Sequence, residues 1–577
     1  MDKRFFLALV LAALVLIVGQ MLFPSPKRQA ALPVKPDSGS VMAESARASG
    51  ASTATRGATA TVTPPAAARP DSMAAAAERS SAAAPVAGDT ITVTTPKLVY
   101  RFSTVGAAPI TATLTEYRAL SAADGPVELA RPGVPLVEYR LRLGNDTIPL
   151  DRLPFTVDSG AAGNAGTKPL TFRTHVDGAT VAITYTFVPD RYLMDVRGVV
   201  DGANAQGGEL LLTLPHGLRS NEADSADDQH SLALVTRTEQ GDVQSYSFAK
   251  LAKLDSTEVK AETKPLSWVA SKSKYFLVAL IANQQPFSGA ILSPLGTPRS
   301  ATSQTAVVAA PLSADGHLAF QLYTGPQEWR RLVALGKDFT HVNSYGGIFG
   351  PIIEPFTVII MQVLLWMHSH LALAYGWVVV IFGVGLRLLL WPLNQTAMRT
   401  SIRMQRIQPE LQALQKKYKN NPEKQHTEMM RLYKEHNMSP FSPLSGCLPM
   451  LIPMPILYAL YFVFENTIAF RGVSFLWMAD IAQKDPYYIL PILMGISMFV
   501  LSWIGLRTAP PNAQTKIMGY FFPILMTVFF FRLPAGLNLY YAVQNMAALP
   551  QQWLIARERA KVGTPAVTTE GASLVRR

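Results

Sequence analysis

Six apolar runs crowd the end of the chain, at about residues 349–370, 375–392, 447–469, 487–504, 517–533 and 535–555. A run of about 18 or more residues with few charges can cross a hydrocarbon layer of about 30 Å at 1.5 Å per residue. Inside that layer the backbone must bond to itself, so such runs fold as helices. A further run, Phe5 to Phe23, follows Asp2, Lys3 and Arg4. It has no small-x-small cleavage site, so it is expected to be an uncleaved anchor with a cytoplasmic N-terminus. The composition, 49% hydrophobic and 16% charged, suits a membrane protein. The single cysteine, Cys447, excludes an intramolecular disulfide and any multi-cysteine metal centre.

The formal charge of +12 is unevenly spread: residues 346–577 hold 20 Lys/Arg against 10 Asp/Glu, while 91–345 are close to balance. A basic surplus among membrane runs reports orientation rather than DNA binding. The stretch 394–440, with nine Lys/Arg against four Asp/Glu, is expected inside the cell. If the N-terminus is also inside, an odd number of crossings must separate the two, so one of the first two C-terminal runs does not span. Gly350, Pro351, Glu354, Pro355 and the polar end His368 to His370 mark residues 346–374 as an amphipathic helix lying in the outer interface. The expected topology has six spans, with both termini cytoplasmic and a basic tail at 557–577.

Between the anchor and these runs lie two other regions. Residues 24–90 are dominated by Ala, Ser, Thr and Pro and cannot bury enough apolar surface to offset ordering, so they read as a tether. From Ile91 to about residue 345, short alternating runs such as 181–187, 209–214 and 275–281 are punctuated by Asp177-Gly178, Asp201-Gly202 and Asp315-Gly316. That pattern predicts a β-sandwich, with its first helix near Gln327 to Leu335. Its histidines, at 175, 216, 230, 317 and 341, have no ligand spacing, and no catalytic or metal site is expected there.

Arg387 is the residue that most needs explaining. It sits within the run 377–392, where an arginine costs about 2.5–3.5 kcal/mol on insertion scales. It must face a hydrated groove or a partner, or else snorkel past Trp391 and Pro392 to the interface. Gly383 and Gly385 beside it would let a guest backbone come close. The basic stretch breaks at Asn420, Asn421 and Pro422 into two amphipathic arms, an expected helical hairpin of cytoplasmic residues that includes Arg399, Arg403, Arg406, Lys416, Lys417, Tyr418 and Met430. Methionines such as Met450 and Met454 would give a surface able to accept varied apolar guests. The chain carries no phosphate loop, no H-E-x-x-H zinc motif and no embedded G-x-S-x-G serine, which removes ATP-driven pumping and intramembrane proteolysis.

Arg387 to Pro392, the basic hairpin, Gly446 to Ile456, Asp485 to Gly495 and Pro534 to Tyr541, in this order behind an anchor and a β domain, closely resemble the YidC family of bacterial inner-membrane protein insertases. The resemblance implies a polytopic α-helical membrane protein with a five-helix insertase core, a large periplasmic β-sandwich domain and a cytoplasmic helical hairpin. It implies a groove with Arg387 as its arginine, lined also by Asn538, Tyr540 and Tyr541, and a hairpin that recruits. Gly383 stands where relatives can carry a polar groove residue, which implies a less hydrophilic wall here. The implied function is to move short hydrophilic segments across the inner membrane and release transmembrane helices sideways into lipid. The resemblance implies no enzymatic activity, cofactor or metal; the implied partners are nascent membrane proteins, the ribosome, the Sec translocon and membrane lipid, and not DNA. The alternative is a secondary transporter or channel for a small solute.

Overall fold

The computed structural model describes residues 88–561 apart from 122–124, 159–167, 203–206, 252–258, 298–299, 344, 346–348, 393–394, 396–406, 408–409, 412, 420, 437–452 and 508–512. The expected anchor (1–23), most of the tether and the tail beyond residue 561 lie outside the described residues.

The first part is built of antiparallel strands. A nine-stranded sheet runs Val243–Ser247, Ala233–Thr238, Leu266–Lys272, Phe276–Ala282, His317–Pro326, Leu193–Asp201, Ala179–Phe187, Leu170–Val176 and Thr156–Val157. A six-stranded sheet (Lys260–Glu262, Gly289–Thr297, Ser300–Pro311, Glu209–Leu214, Glu138–Leu143, Asp146–Ile148) and a four-stranded one (Thr90–Thr94, Leu98–Ser103, Pro109–Arg118, Pro126–Glu128) complete it. Local chemistry sets the register. Val176 pairs with Ala179 across a two-residue turn whose Asp177 and Gly178 both have positive φ (49° and 78°), the conformation that Asp-Gly adopts most readily in a tight hairpin. The central strands Leu266–Lys272 and Phe276–Ala282 are buried throughout, which explains why 276–282 reads as an unbroken apolar run. Residues from all three sheets share one core, in which Phe102 packs 4.7 Å from Tyr185 and the Tyr185 hydroxyl donates to Ala107 O at 2.6 Å. A short helix, α1 (Ser225–Ser231), capped by Asp224, interrupts the β pattern where the sequence has no helical periodicity; α2 (Trp329–Leu335) ends the domain at the predicted place.

The second part is helical: α3 (Gly350–Leu371), α4 (Tyr375–Leu389), α5 (Pro422–Glu435), α6 (Pro453–Asn466), α7 (Ile489–Arg507), α8 (Ala513–Phe530) and α9 (Ala535–Lys561). Helix α9 is the hub, packed against α4 on one side and α7 on the other; α7 holds α8, and α3 packs on α4 and α6. Two glycines set how closely the elements approach. A Cβ on Gly376 would lie 2.1 Å from the Phe475 ring, and one on Gly495 2.0 Å from Thr527 Oγ1. Asp485, almost fully buried, fixes the start of α7: its carboxylate accepts from Tyr487 N at 3.1 Å and Leu490 N at 2.7 Å, and from Trp477 Nε1 at 3.0 Å.

Among the described residues two helices are long and apolar enough on their own to cross a membrane, Gly350–Leu371 and Ile489–Leu506; Tyr375–Leu389 and Gly519–Phe530 are apolar but shorter. Helix α9 misses that standard because it carries Asn538, Gln544, Asn545, Gln551 and Gln552. Helix α3 differs from expectation. Its outward row, including Ile352, Phe356, Ile359, Val363 and Trp366, is as apolar as the row it buries, so it is not amphipathic in the polar-face sense. That is the surface expected of a helix wetted by lipid rather than by water.

A charged junction joins the two parts. Arg471, in the loop after α6, donates from Nε to both carboxylate oxygens of Glu222 (2.8 and 3.0 Å) and from its other nitrogens to Arg118 O and Asn221 O. Lys274 bonds Asp227 at 2.6 Å and Glu465, at the end of α6, at 3.1 Å. Lys484 and Asp224 form an exposed pair at 3.3 Å. Burial lifts the Glu222 carboxyl to about 7 against the pull of Arg471, and it lifts Asp228 and Asp480 in the same direction.

Candidate functional site

Helix α4 brings Arg387 onto the face it turns to α9. The Arg387 Nη2 donates to Gln551 Oε1 at 2.7 Å, and Gln551 Nε2 donates in turn to Gln395 Oε1 at 3.3 Å. Gln551 is 2% exposed, whereas Arg387 is half-buried, with its Nε buried and unbonded. One turn further along, Gln544 Nε2 donates to Gly383 O and to the Tyr540 hydroxyl, each at 3.0 Å. Residues 540, 544 and 551 recur at helical spacing, so α9 shows α4 a single polar row, met by Gly383 and Arg387 one turn apart. No carboxylate pairs with Arg387 among the described residues, and Glu465 belongs to the junction at the other end of its helix. The arginine is thus held by an amide, a neutral acceptor that leaves its charge uncompensated.

The other expected site residues are placed as follows. Gly383 is buried against α9, and a Cβ added there would meet Val543 and Tyr540 at ordinary contact distances, 3.4 and 3.5 Å, so the position has room for a methyl group. A Cβ added to Gly385 would meet nothing within 4 Å, so that position faces open space. Tyr540 is buried with its ring 6.0 Å from Phe382; Tyr541 packs edge-on to it and to Phe530. Asn538 is fully buried, and its amide donates to Phe530 O and Leu533 O, tying the end of α8 to the start of α9 rather than facing Arg387. Met454 falls in the first turn of α6; Arg399, Arg403, Arg406 and Met450 lie outside the described residues.

In the hairpin, Ile407 and Leu411 pack on Leu432 and Tyr433, with Met429 and Met430 alongside. His436 meets Glu410 at 3.2 Å, so the arms run antiparallel, and Asn421 caps α5 by accepting from Lys424 N at 3.1 Å. Lys416 and Lys417 are exposed, and Lys417 lies 5.5 Å from the Tyr418 ring. Sequence reasoning passes over Gln544 and Gln551. Uncharged amides raise little alarm in an apolar run, although their i, i+7 spacing puts them on one face. It also passes over the junction, whose charges come from segments some 250 residues apart, as in Arg471 and Glu222.

Residues 90–359 match the model of the YidC periplasmic domain, and residues 366–562 match that of the 60Kd inner membrane protein. The membrane protein insertase YidC of Burkholderia multivorans is 31% identical over 410 residues, covering 69% of this chain and 70% of that one. The Chlorobaculum tepidum insertase is 32% identical over 403 residues, and the match spans 65% of its length. A crystal structure of an active YidC insertase covers 81% of this chain and 92% of its own at 18% identity, with a TM-score of 0.31. The matched pair of domains defines an inner-membrane protein with a periplasmic β domain and a helical core. The chain belongs to the YidC family.

Proposed function

We propose that the chain is a membrane protein insertase and chaperone for nascent membrane proteins, moving short hydrophilic segments across the inner membrane along the α4–α9 seam. One observation carries this reading: Arg387 is held by Gln551 with no carboxylate partner among the described residues, beside a Gly385 that faces open space. A cation kept charged within an apolar helix needs water or a guest. A polar segment entering here trades bulk water for Arg387, Gln544 and Gln551, which lowers the barrier to its crossing. An acidic segment gains a few kcal/mol more at most from the charge. The guest's own apolar helix then leaves into lipid, at about 0.8 kcal/mol per buried CH₂, and that release drives the step without nucleotide.

In this reading the spans are the 1–23 anchor, α4 and α6–α9, with both termini and the 394–440 hairpin in the cytoplasm and α3 lying along the outer interface. The contacts of α3 support that placement. Glu354 in its first turns meets His341 of the β domain at 3.3 Å, and Ser369 near its end lines a cavity with the domain's Glu328 and Arg330. Those two positions are about 22 Å apart along the axis, so a crossing would carry one of them away from the domain. The hairpin surface of Lys416, Lys417 and Met430, together with Arg399, Arg403 and Arg406, receives ribosome-borne chains, alone or beside the Sec translocon.

The test is reconstitution. Arg387→Ala should depress insertion of clients with acidic translocated segments into liposomes, and crosslinkers at 385 and 387 should capture nascent chains. Undiminished insertion of every client removes the charge role; solute flux through empty liposomes would favour a transporter instead.

A further inference from the structure

A cavity of about 320 Å³ lies where the β domain meets the helices, far from Arg387. Its walls come from the domain's α2 region (Glu328, Arg330), the last turns of α3 (Leu365, His368), Tyr375 at the start of α4, and the loop after α6. In the proposed topology, on which this inference rests, these are the points at which α4 and α6 leave the bilayer on the periplasmic side, and the outward row of α3 beside them is apolar.

The polar groups in this cavity are of both signs and are arranged rather than scattered. Of two adjacent arginines, Arg331 is used by the fold: it bonds Glu328 at 2.5 Å and lies 4.9 Å from the Tyr192 ring. Arg330 is exposed, lines the cavity and has no ion pair or hydrogen bond among the described residues. His368 donates from Nδ1 to Leu373 O at 2.7 Å and stacks on Tyr375 at 3.8 Å, which leaves Nε2 as a free acceptor. The C-terminal ends of both α3 and α6 come to this place, with carbonyl ends that favour a cation, and tyrosine rings suit an ammonium group. Met361, Leu365 and Ile468 supply apolar wall. A simple anion would find Arg330 but would also meet Glu328 and two helix C-termini; a simple cation would meet Arg330.

We infer that this cavity seats the headgroup of a zwitterionic phospholipid of the outer leaflet, its phosphate on Arg330 and its ammonium toward Glu328, the tyrosines and the accepting Nε2 of His368. The glycerol and first acyl carbons lie against Met361 and Leu365, and the lipid becomes part of the junction between domain and core. This reading is independent of what α4 and α9 do to a guest.

The experiment uses the full chain in nanodiscs of phosphatidylethanolamine and phosphatidylglycerol, with a trace of phosphatidylethanolamine carrying a photoactivatable group on its ethanolamine. Labelling should map to peptides bearing 327–332, 361–375 or 466–469. Arg330→Glu should lower it about tenfold, the loss of one charge-assisted contact, and Arg330→Lys should largely restore it. Leu365→Trp, which fills the space without altering charge, should also abolish it, so the inference stays testable if the charge reversal misfolds. Unchanged labelling in both variants overturns the inference. Equal labelling by a phosphatidylglycerol probe overturns the zwitterion. Displacement by millimolar soluble phosphoethanolamine, with no dependence on the lipid, overturns the bilayer source.

Discussion

Removing one member of the Glu222–Arg471 pair should detach the β domain from the helical core far more than removing the neighbouring exposed pair. Arg471 and Glu222 have side chains only 5% and 2% exposed and share two hydrogen bonds, while two further Arg471 bonds satisfy Arg118 O and Asn221 O. In Arg471→Ala, assayed above the raised value of about 7 where Glu222 is ionised in the intact pair, the carboxylate is left buried without its partner, a situation that costs about 3–5 kcal/mol. Lys484→Ala breaks a pair whose side chains are 56% and 34% exposed, worth about 0–1 kcal/mol. Amide exchange in nanodiscs reads the difference directly. Amides of 219–228 and 470–481 that exchange by undocking should speed up about a hundredfold or more in Arg471→Ala, and less than tenfold in Lys484→Ala. The Glu222→Gln and Arg471→Ala double variant should recover part of the loss, because no charge is then stranded. The cost should also shrink below neutral pH as Glu222 takes up a proton. If Arg471→Ala and Lys484→Ala accelerate exchange equally, the junction is not held by the buried pair.

The junction should also respond to pH in the intact protein. A carboxyl raised from 4.5 to about 7 binds its proton more tightly docked than undocked, so this contribution to docking is full below 4.5 and is lost as pH rises through 7, by up to about 3 kcal/mol in all. Exchange protection of 219–228, corrected for intrinsic rates, should therefore be greater at pH 6 than at pH 8, and Glu222→Gln should flatten that dependence. Gly376→Ala should lower the thermal stability of the purified protein by about 1–3 kcal/mol because its methyl meets Phe475, whereas Gly385→Ala, with open space around it, should be neutral or stabilising. Gln551→Leu should cut insertion of acidic clients about tenfold, the loss of a hydrogen bond to a charged group, without lowering the protein's yield. Asn421→Ala removes the α5 cap and should cost the hairpin about 1 kcal/mol, read by circular dichroism of the melting transition.

What can be read from the sequence follows the range of the interactions concerned. The hairpin break at Asn421-Pro422 and the Asp177-Gly178 turn are decided by neighbouring residues, and the structure has a cap and a two-residue turn there. The β region and the helical runs announce themselves by periodicities of two and by length. The ends of α3, Glu354 and His368 to His370, predict a polar face, but the exposed side of its middle is apolar apart from Gln362, and its surroundings decide how it lies. Gly383 and Asn538 fit the border of a groove on chemical type alone. Each is instead absorbed by packing, one against α9 and the other on the end of α8. No local pattern could pair Arg471 with Glu222 or bring Arg330 and His368 to the wall of one cavity, since the segments meet only once both domains have formed.

The neutral partner of Arg387 has a mechanistic consequence. A carboxylate in place of Gln551 would bind the guanidinium more strongly, by Coulomb attraction as well as hydrogen bonding, and would occupy the charge that an acidic guest needs. An amide orients the side chain through one Nη2 bond; Nε is buried and unbonded, so it is the remaining Nη donors that are left to water or to a passing segment. Orientation and availability are thereby separated. Gln551→Glu should therefore preserve the geometry of the seam yet impair clients with acidic translocated segments more than clients with neutral ones, whereas Gln551→Leu should impair both by letting Arg387 wander. Equal defects for the two client classes in Gln551→Glu would mean that Arg387 acts by hydration alone and that its charge has no part in recognising the guest.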